Sequence, residues 1–387
     1  MRIRGNPWVR AIDRWIGSAI VAVLGLFKGK GKPLDGRIPH KILLVKLNAL
    51  GDTLMFLTAA RALKDRWPEA EITYLGSTLN VELLQRDPIL QRLKILDLSR
   101  IMRSPLYLLN FVRDLRKDHY DLVIDGSQWE RIAAMLVGMT RSDFRIGFRT
   151  PGQWKHTVYH VPIPHRRDRH EMHCFHDLLE PLGIKVSKQV RPWLLVEDHD
   201  RSRLDALLNG SIPANSTILL IHPGCGEHGQ LREWPLDYYR ELGQRWLNSN
   251  PGGWIVISGT GGEVAMCENL KNQLPGRAMS LAGSLDIGTS SALLERTSIL
   301  VSGNTGIIHM ASAFETPSVA IHGPTDPVKW GPYNRNAIVL MSPLECAPCL
   351  YLGHEYDCDC PKCMEAIPVD TVWQAVMEVE KVAVNSQ

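Results

Sequence analysis

Wholly apolar runs separated by helix-like stretches constrain this chain more than any other feature. KILLVKL from Lys41, EITYLG from Glu71, DLVIDGS from Asp121, then STILLIHPG, GWIVISG and PSVAIHG lack the polar-apolar alternation of a half-exposed strand. Strands buried on both faces read this way, and they occur in parallel sheets covered by helices. Between them lie segments with apolar residues at helical spacing, such as Leu54, Leu57, Ala60, Leu63 and Trp67. Strand and helix alternate, so the pattern predicts an α/β protein with doubly wound sheets.

The alternation stops once and restarts. Residues 197–214 are polar, carry Gly210 and Pro213, and read as the boundary between two units. A chain of 387 residues is long enough for two full cores. The expected organisation is an N-terminal helix with a basic linker over 1–40, one α/β domain over 41–197 and a second over 214–365. A last helix over 366–387, running from Val369, is placed to cross back to the first domain. Net charge is only +3, too little to argue for a nucleic-acid partner.

The first forty residues have a different character. Ile16 to Phe27 is an unbroken apolar run of 12 residues, whereas a spanning helix needs about 20. Arg2 and Arg4 precede it, Lys28, Lys30 and Lys32 follow, and Trp8, Arg10, Asp13, Arg14 and Trp15 share its helix. This reads as an amphipathic helix lying in a membrane surface with its basic residues against anionic headgroups. A helix packed on the protein body and a signal peptide are the competing readings. The small-residue cleavage site that a signal peptide needs is replaced by a lysine-glycine run.

The densest chemistry lies between Ile299 and Tyr333. A strand enters the turn Gly303-Asn304-Thr305-Gly306, which opens a helix. Free backbone N–H groups and the helix dipole favour an anion such as phosphate there. An ordinary βαβ unit whose glycines serve only the turn is the simpler alternative. The chain has no G-x-x-x-x-G-K-[ST]. At the end of the first strand, Asp52 opens another helix. N-capping is the plain role for it, and the carboxyl edge of a parallel sheet is also where ligands bind.

Thr305, Gly306, His309, Ala311 and Ala313, followed by Gly323-Pro324-Thr325-Asp326-Pro327, resemble the nucleotide-sugar segment of glycosyltransferase family 9, the bacterial heptosyltransferases. Leu47, Leu50, Gly51 and Asp52 resemble that family's N-terminal motif, and Arg232-x-Trp234-Pro235 a third. Asn304 departs from the family's aspartate, and Arg232 stands where lysine is common. The resemblance runs from about Lys41 to the end. It implies two Rossmann-like domains facing across a cleft, the GT-B fold, and transfer of a heptose or related sugar from a nucleotide diphosphate donor, ADP-heptose above all. The implied acceptor is lipopolysaccharide core or another lipid-linked glycan.

Carried over residue by residue, the resemblance makes Asp52 the general base. It puts the donor on Arg232, Glu263, Asn304, Thr305, Gly306 and His309, with Arg232 at the diphosphate and Glu263 at the ribose. A lone glutamate after a strand is more often a helix N-terminal charge. Arg166, Arg167 and Arg169 fall in the half where the family binds its phosphorylated acceptor, although such loops are usually just solvated. The expected transfer is inverting and needs no metal or other cofactor, and the expected place is the cytoplasmic face of the inner membrane. An enzyme of the nucleotide-sugar 2-epimerase type and a non-catalytic nucleotide-sugar-binding protein at the membrane are the alternatives.

Five of the eight cysteines crowd into residues 346–363. Cys346, Cys349, Cys360 and Cys363 form two C-x2-C pairs able to hold a structural zinc, with Cys358 spare. Reduced packing thiols and disulfides fit the same spacing. His170, His173 and His176 recur every third residue, but no acidic-histidine signature accompanies them.

Overall fold

The computed structural model describes residues 11–187, 190–208, 210–226, 229–352 and 360–385. It divides into two compact units between Val190 and Arg191. In the first, β1 (Lys41–Val45), β2 (Glu71–Ser77), β3 (Arg92–Leu96), β4 (His119–Asp125), β5 (Arg141–Arg149) and β6 (Val161–Pro164) form one sheet in the order β3-β2-β1-β4-β5-β6. Every pairing is parallel. In the second, β7 (Ile218–His222), β8 (Trp254–Ile257), β9 (Ala278–Ser280), β10 (Ile299–Gly303), β11 (Ser318–His322) and β12 (Ala337–Met341) run β12-β11-β10-β7-β8-β9, again all parallel. Counted from its own first strand, each sheet has the order 3-2-1-4-5-6. Each therefore has a switch point, between β1 and β4 and between β7 and β10, where a crevice opens at the carboxyl ends of the strands.

The two-unit α/β architecture follows from the apolar runs. The central strands β10 and β11 are buried along their whole length, as helices on both faces require. The helix Leu50–Arg66 turns Leu54, Phe56, Leu57, Ala60 and Leu63 inward. It ends at Trp67 because Pro68 disfavours helical backbone in the residue before it.

Two expectations about organisation need correction. The segment chosen as linker holds a helix, Asp198–Leu208, which packs on the helix Ile287–Arg296 of the second unit. Leu204 and Leu208 are buried there, and Arg201 pairs with Glu295 at 3.1 Å, so a polar composition concealed a narrow apolar stripe. The last helix, Val369–Asn385, belongs to the second unit. It lies on β10, β11, β12 and the helix Leu236–Ser249, with Val372, Val376 and Val379 in the second core. Trp234 Nε1 donates to Ile367 O at 2.9 Å just before it.

The N-terminal helix is docked rather than free. Its described part runs from Ala11 to Leu26, and Arg2, Arg4, Trp8 and Arg10 lie outside the described residues. Asp13 accepts from the backbone N–H groups of Arg131 and Ile132 and pairs with the Arg131 guanidinium at 3.2 Å. Arg131 Nε also donates to Ser18 Oγ at 2.8 Å. Val21 is fully buried in the first core. The opposite side presents Trp15, Ile16, Val23, Leu26 and Phe27 to solvent. No helix among the described residues is long and apolar enough to cross a membrane.

Candidate functional site

The switch point of the first unit gathers the ends of β1 and β4. Asp52 lies in the first turn of the helix Leu50–Arg66, but the N-cap is Ala49 and no side chain caps this helix. The carboxylate is thus released from the capping role and is 18% exposed. Lys46, which interrupts the apolar run after β1, is completely buried with Nζ 3.3 Å from Asp52 Oδ2. The same ammonium donates to Gln128 Oε1 at 2.7 Å and lies 5.7 Å from the Phe175 ring centroid. Gln128 follows β4, and its Nε2 donates to Asp52 Oδ2 at 3.3 Å and to Glu171 Oε1 at 3.0 Å. Glu171 in turn pairs with His165 at 3.0 Å, both side chains being fully buried.

A second buried cluster stiffens the same edge. Asp125, at the end of β4, accepts from Tyr159 Oη at 2.5 Å and pairs with the buried Lys155 at 3.3 Å. Burial drives the Lys155 pKa down, and the Asp125 and Glu130 charges oppose that. Lys155 also donates to the Ser127 carbonyl, one residue before Gln128.

In the second unit, the loop after β7 and the turn after β10 meet around Arg232. Its Nη1 donates to Asn304 O at 3.2 Å and its Nη2 to Cys225 O at 3.3 Å, while the buried Nε has no partner among the described residues. A guanidinium pinned by both Nη atoms with an unmatched Nε suits an anionic oxygen. Gly303 is required here, because a Cβ would sit 2.8 Å from Arg232 O. Thr305 is the N-cap of the helix Gly306–Phe314 and its side chain makes no cap bond, so the N-terminal amides are left for a ligand. His309 lies buried on that helix.

Asn304, the departure from the resemblance, has a local explanation. Its Nδ2 donates to Trp330 O at 2.7 Å, a bond that an ionised aspartate cannot make. It also lies 3.5 Å from Nε2 of His322, whose pKa burial pushes down to about 4.

Glu263 is engaged in structure. It completes a capping box with Thr260 and accepts from Gly226 N at 2.8 Å. Burial works against its charge, but the N–H groups of Thr260 and Gly226 and the adjacent His222 hold its pKa below the ordinary value. Gly224 makes room for it, since a Cβ there would lie 2.1 Å from Glu263 Oε1. The plainer reading of a helix N-terminal charge is therefore realised, and only the carboxylate's remaining lone pairs face other groups.

The arginines proposed for an acceptor have intramolecular partners. Arg166 pairs with Asp168 at 2.6 Å and Arg169 with Asp177 at 3.0 Å, and Arg167 lies between them in sequence. His170 caps the helix Glu171–Asp177, and His176 Nε2 lies 2.7 Å from Thr58 Oγ1. Among the described residues Cys346, Cys349, Cys360 and Cys363 form no disulfide, and Cys358 lies outside the described residues. Among the described residues, no three of these thiols come within ligand distance of one another. Cys363 is instead part of the second core, which is the behaviour of a packing thiol.

Lys46, Gln128, Glu171 and His165 were not singled out from the sequence. Lys46 carried a signal, as the one charge inside KILLVKL after its first residue. Nothing in the spacing of the other three links them.

Comparison with known proteins gives a consistent answer. A family model described as glycosyltransferase family 9 (heptosyltransferase) matches residues 108–358. The lipopolysaccharide core heptosyltransferase OpsX of Haemophilus influenzae is 21% identical over 307 residues, 78% of this chain and 84% of the relative. The lipopolysaccharide heptosyltransferase 2 of Salmonella typhimurium is 24% identical over 320 residues, 78% of this chain and 87% of the relative. Among solved structures, a glycosyl transferase family 9 protein from Veillonella parvula superposes with TM-score 0.70 at 20% identity, covering 81% of this chain and 88% of that one. The E. coli ADP-heptose LPS heptosyltransferase II superposes with TM-score 0.69 at 19% identity, covering 88% and 98%.

Proposed function

The chain belongs to glycosyltransferase family 9 and is a glycosyltransferase, and from that premise we propose that it moves a heptose from ADP-heptose to a lipopolysaccharide-core or similar lipid-linked acceptor. One observation carries the reading: each switch point presents one reactive group that its own unit leaves unmatched. In the first unit it is Asp52, whose contacts among the described residues all fall on Oδ2. In the second it is Arg232, whose Nε has no partner among the described residues, beside the helix N-terminus at Thr305-Gly306.

In this mechanism Asp52 Oδ1 takes the proton of the acceptor hydroxyl as the oxygen bonds to the anomeric carbon. The bond from that carbon to the diphosphate breaks on the opposite side, so the configuration inverts. The departing nucleotide diphosphate takes the electron pair, and Arg232 with the amides at Thr305-Gly306 stabilises its growing charge. The reaction requires that base and cradle act on one pair of substrates. His309 and the open lone pairs of Glu263 serve the donor, and Arg166, Arg167 and Arg169 an anionic acceptor.

The exposed side of the N-terminal helix supports placement on a membrane surface, at the cytoplasmic leaflet where a lipid-linked acceptor would be met. Trp15, Leu26 and Phe27 are at least 72% exposed and lie opposite the face that Val21 buries. Docking to Arg131 makes the helix part of the enzyme's wall, so lipid contact would fix the first unit's orientation.

The test is a thermal-shift screen with ADP-, UDP- and GDP-sugars, followed by incubation with and without a truncated lipopolysaccharide. Stabilisation by ADP-heptose and a mass gain of one heptose on the acceptor are expected. Release of free sugar without an acceptor would favour the epimerase alternative. Donor binding without turnover would favour a binding protein.

A further inference from the structure

The groups behind Asp52 form a directional chain, and its joint is Gln128. The side-chain amide is 2% exposed and uses both ends. Its oxygen accepts from the Lys46 ammonium at 2.7 Å, and its nitrogen donates one hydrogen to Asp52 Oδ2 at 3.3 Å and the other to Glu171 Oε1 at 3.0 Å. The amide can sit only one way round. Reversed, it would point its oxygen at two carboxylates and its N–H groups at an ammonium, turning three favourable contacts into three repulsive ones. Glu171 is itself held by His165 at 3.0 Å in a fully buried pair. Lys46 is held by its backbone N–H, which donates to Leu75 O at 3.1 Å, and by Phe175.

We propose that Gln128 is the positioning residue of the base: it transmits the fixed geometry of the Glu171–His165 pair to Asp52, holding Oδ2 so that Oδ1 faces the acceptor hydroxyl. This rests on the reading of Asp52 as base. Gln128 contacts no substrate in this account. Lys46 supplies charge from one side, and a single ammonium at 3.3 Å leaves the carboxylate free to swing about its Cβ–Cγ bond. The Gln128 donor approaches the same oxygen from another residue and removes that freedom. A mispositioning of about 1 Å at a reacting group can cost on the order of a hundredfold in rate.

The experiment uses the full chain with ADP-heptose and truncated lipopolysaccharide. Q128M keeps the side-chain length and removes all three polar contacts. It is expected to lower kcat by about tenfold or more while the KM for donor and for acceptor stay within about twofold. E171A should behave similarly, and E171Q, which keeps an oxygen for Gln128, should recover most of the lost kcat. D52N runs alongside. If D52N retains turnover, the base reading falls and this inference with it. If D52N is inactive but Q128M has wild-type kcat, or loses kcat only with a lowered Tm and no rescue by E171Q, Gln128 is a structural residue and the inference alone is overturned.

Discussion

Acidification should loosen the first unit through His176. This side chain lies on the helix Glu171–Asp177, which packs on the helix Leu50–Arg66 that carries Asp52. Its Nε2 is 2.7 Å from Thr58 Oγ1, whose own hydrogen is committed to Met55 O at 2.6 Å. The ring must therefore donate from Nε2. Burial lowers its pKa to about 3, helped by the nearby His173, Arg169 and His170. The folded state thus requires the neutral ring, while the unfolded chain protonates near the ordinary value of about 6.5. Below that pH the unfolded state binds more protons, so stability is complete above about 6.5 and drains away as pH falls toward 3. At pH 5 the loss from this one group is roughly 2 kcal/mol, approaching roughly 5 kcal/mol near pH 3. Urea unfolding of the wild type and His176→Gln at pH 7 and pH 5 isolates the effect. The variant should be about 1 kcal/mol less stable at pH 7, through a poorer bond to Thr58, yet lose about 2 kcal/mol less between the two pH values. Equal losses in the two proteins would refute the buried-neutral account of His176.

Two further outcomes follow from the site and the N-terminal helix. Asn304→Asp should destabilise the second unit by about 2 kcal/mol in urea unfolding at pH 7, because a carboxylate would face Trp330 O where an amide now donates; an unchanged midpoint would remove Asn304 as a latch. A Leu26→Ser, Phe27→Ser double variant should keep its Tm yet float about tenfold less with phosphatidylglycerol vesicles; unaltered flotation would show that this face is not the membrane contact.

The legible parts of the fold were those whose sequence has one physical explanation. Central strands such as β1, β7 and β10 are buried on both sides, and their residues show it. Edge strands are not: β6 carries Pro162 and Pro164, which interrupt its apolar run, and β12, although apolar throughout, is only partly buried. The helix Asp198–Leu208 carries little apolar signal because six of its eleven residues are charged or histidine and only Leu204, Leu208 and Asp200 are buried. In the site, Asp52 and Thr305-Gly306 were readable because each follows a strand end, where topology puts ligands, and Arg232 only through its resemblance to the family's basic residue before Trp-Pro. Gln128, His165 and Glu171 reach Asp52 from other strand ends, and contacts of that kind leave no periodicity or spacing in the chain. The docking of the N-terminal helix was equally hidden, since a run like IVAVLGLF fits a lipid surface and a protein core alike.

The central claim is that the Asp52 carboxylate takes the acceptor's proton, and the pair kcat and donor Kd for Asp52→Asn measures it most directly. Asparagine preserves the side chain's shape and one oxygen but cannot accept the proton. The account predicts a fall in kcat of roughly a hundredfold to ten-thousandfold, with ADP-heptose Kd within about twofold of wild type. A kcat within a few fold of wild type would contradict it, because no other group in the account takes up that proton.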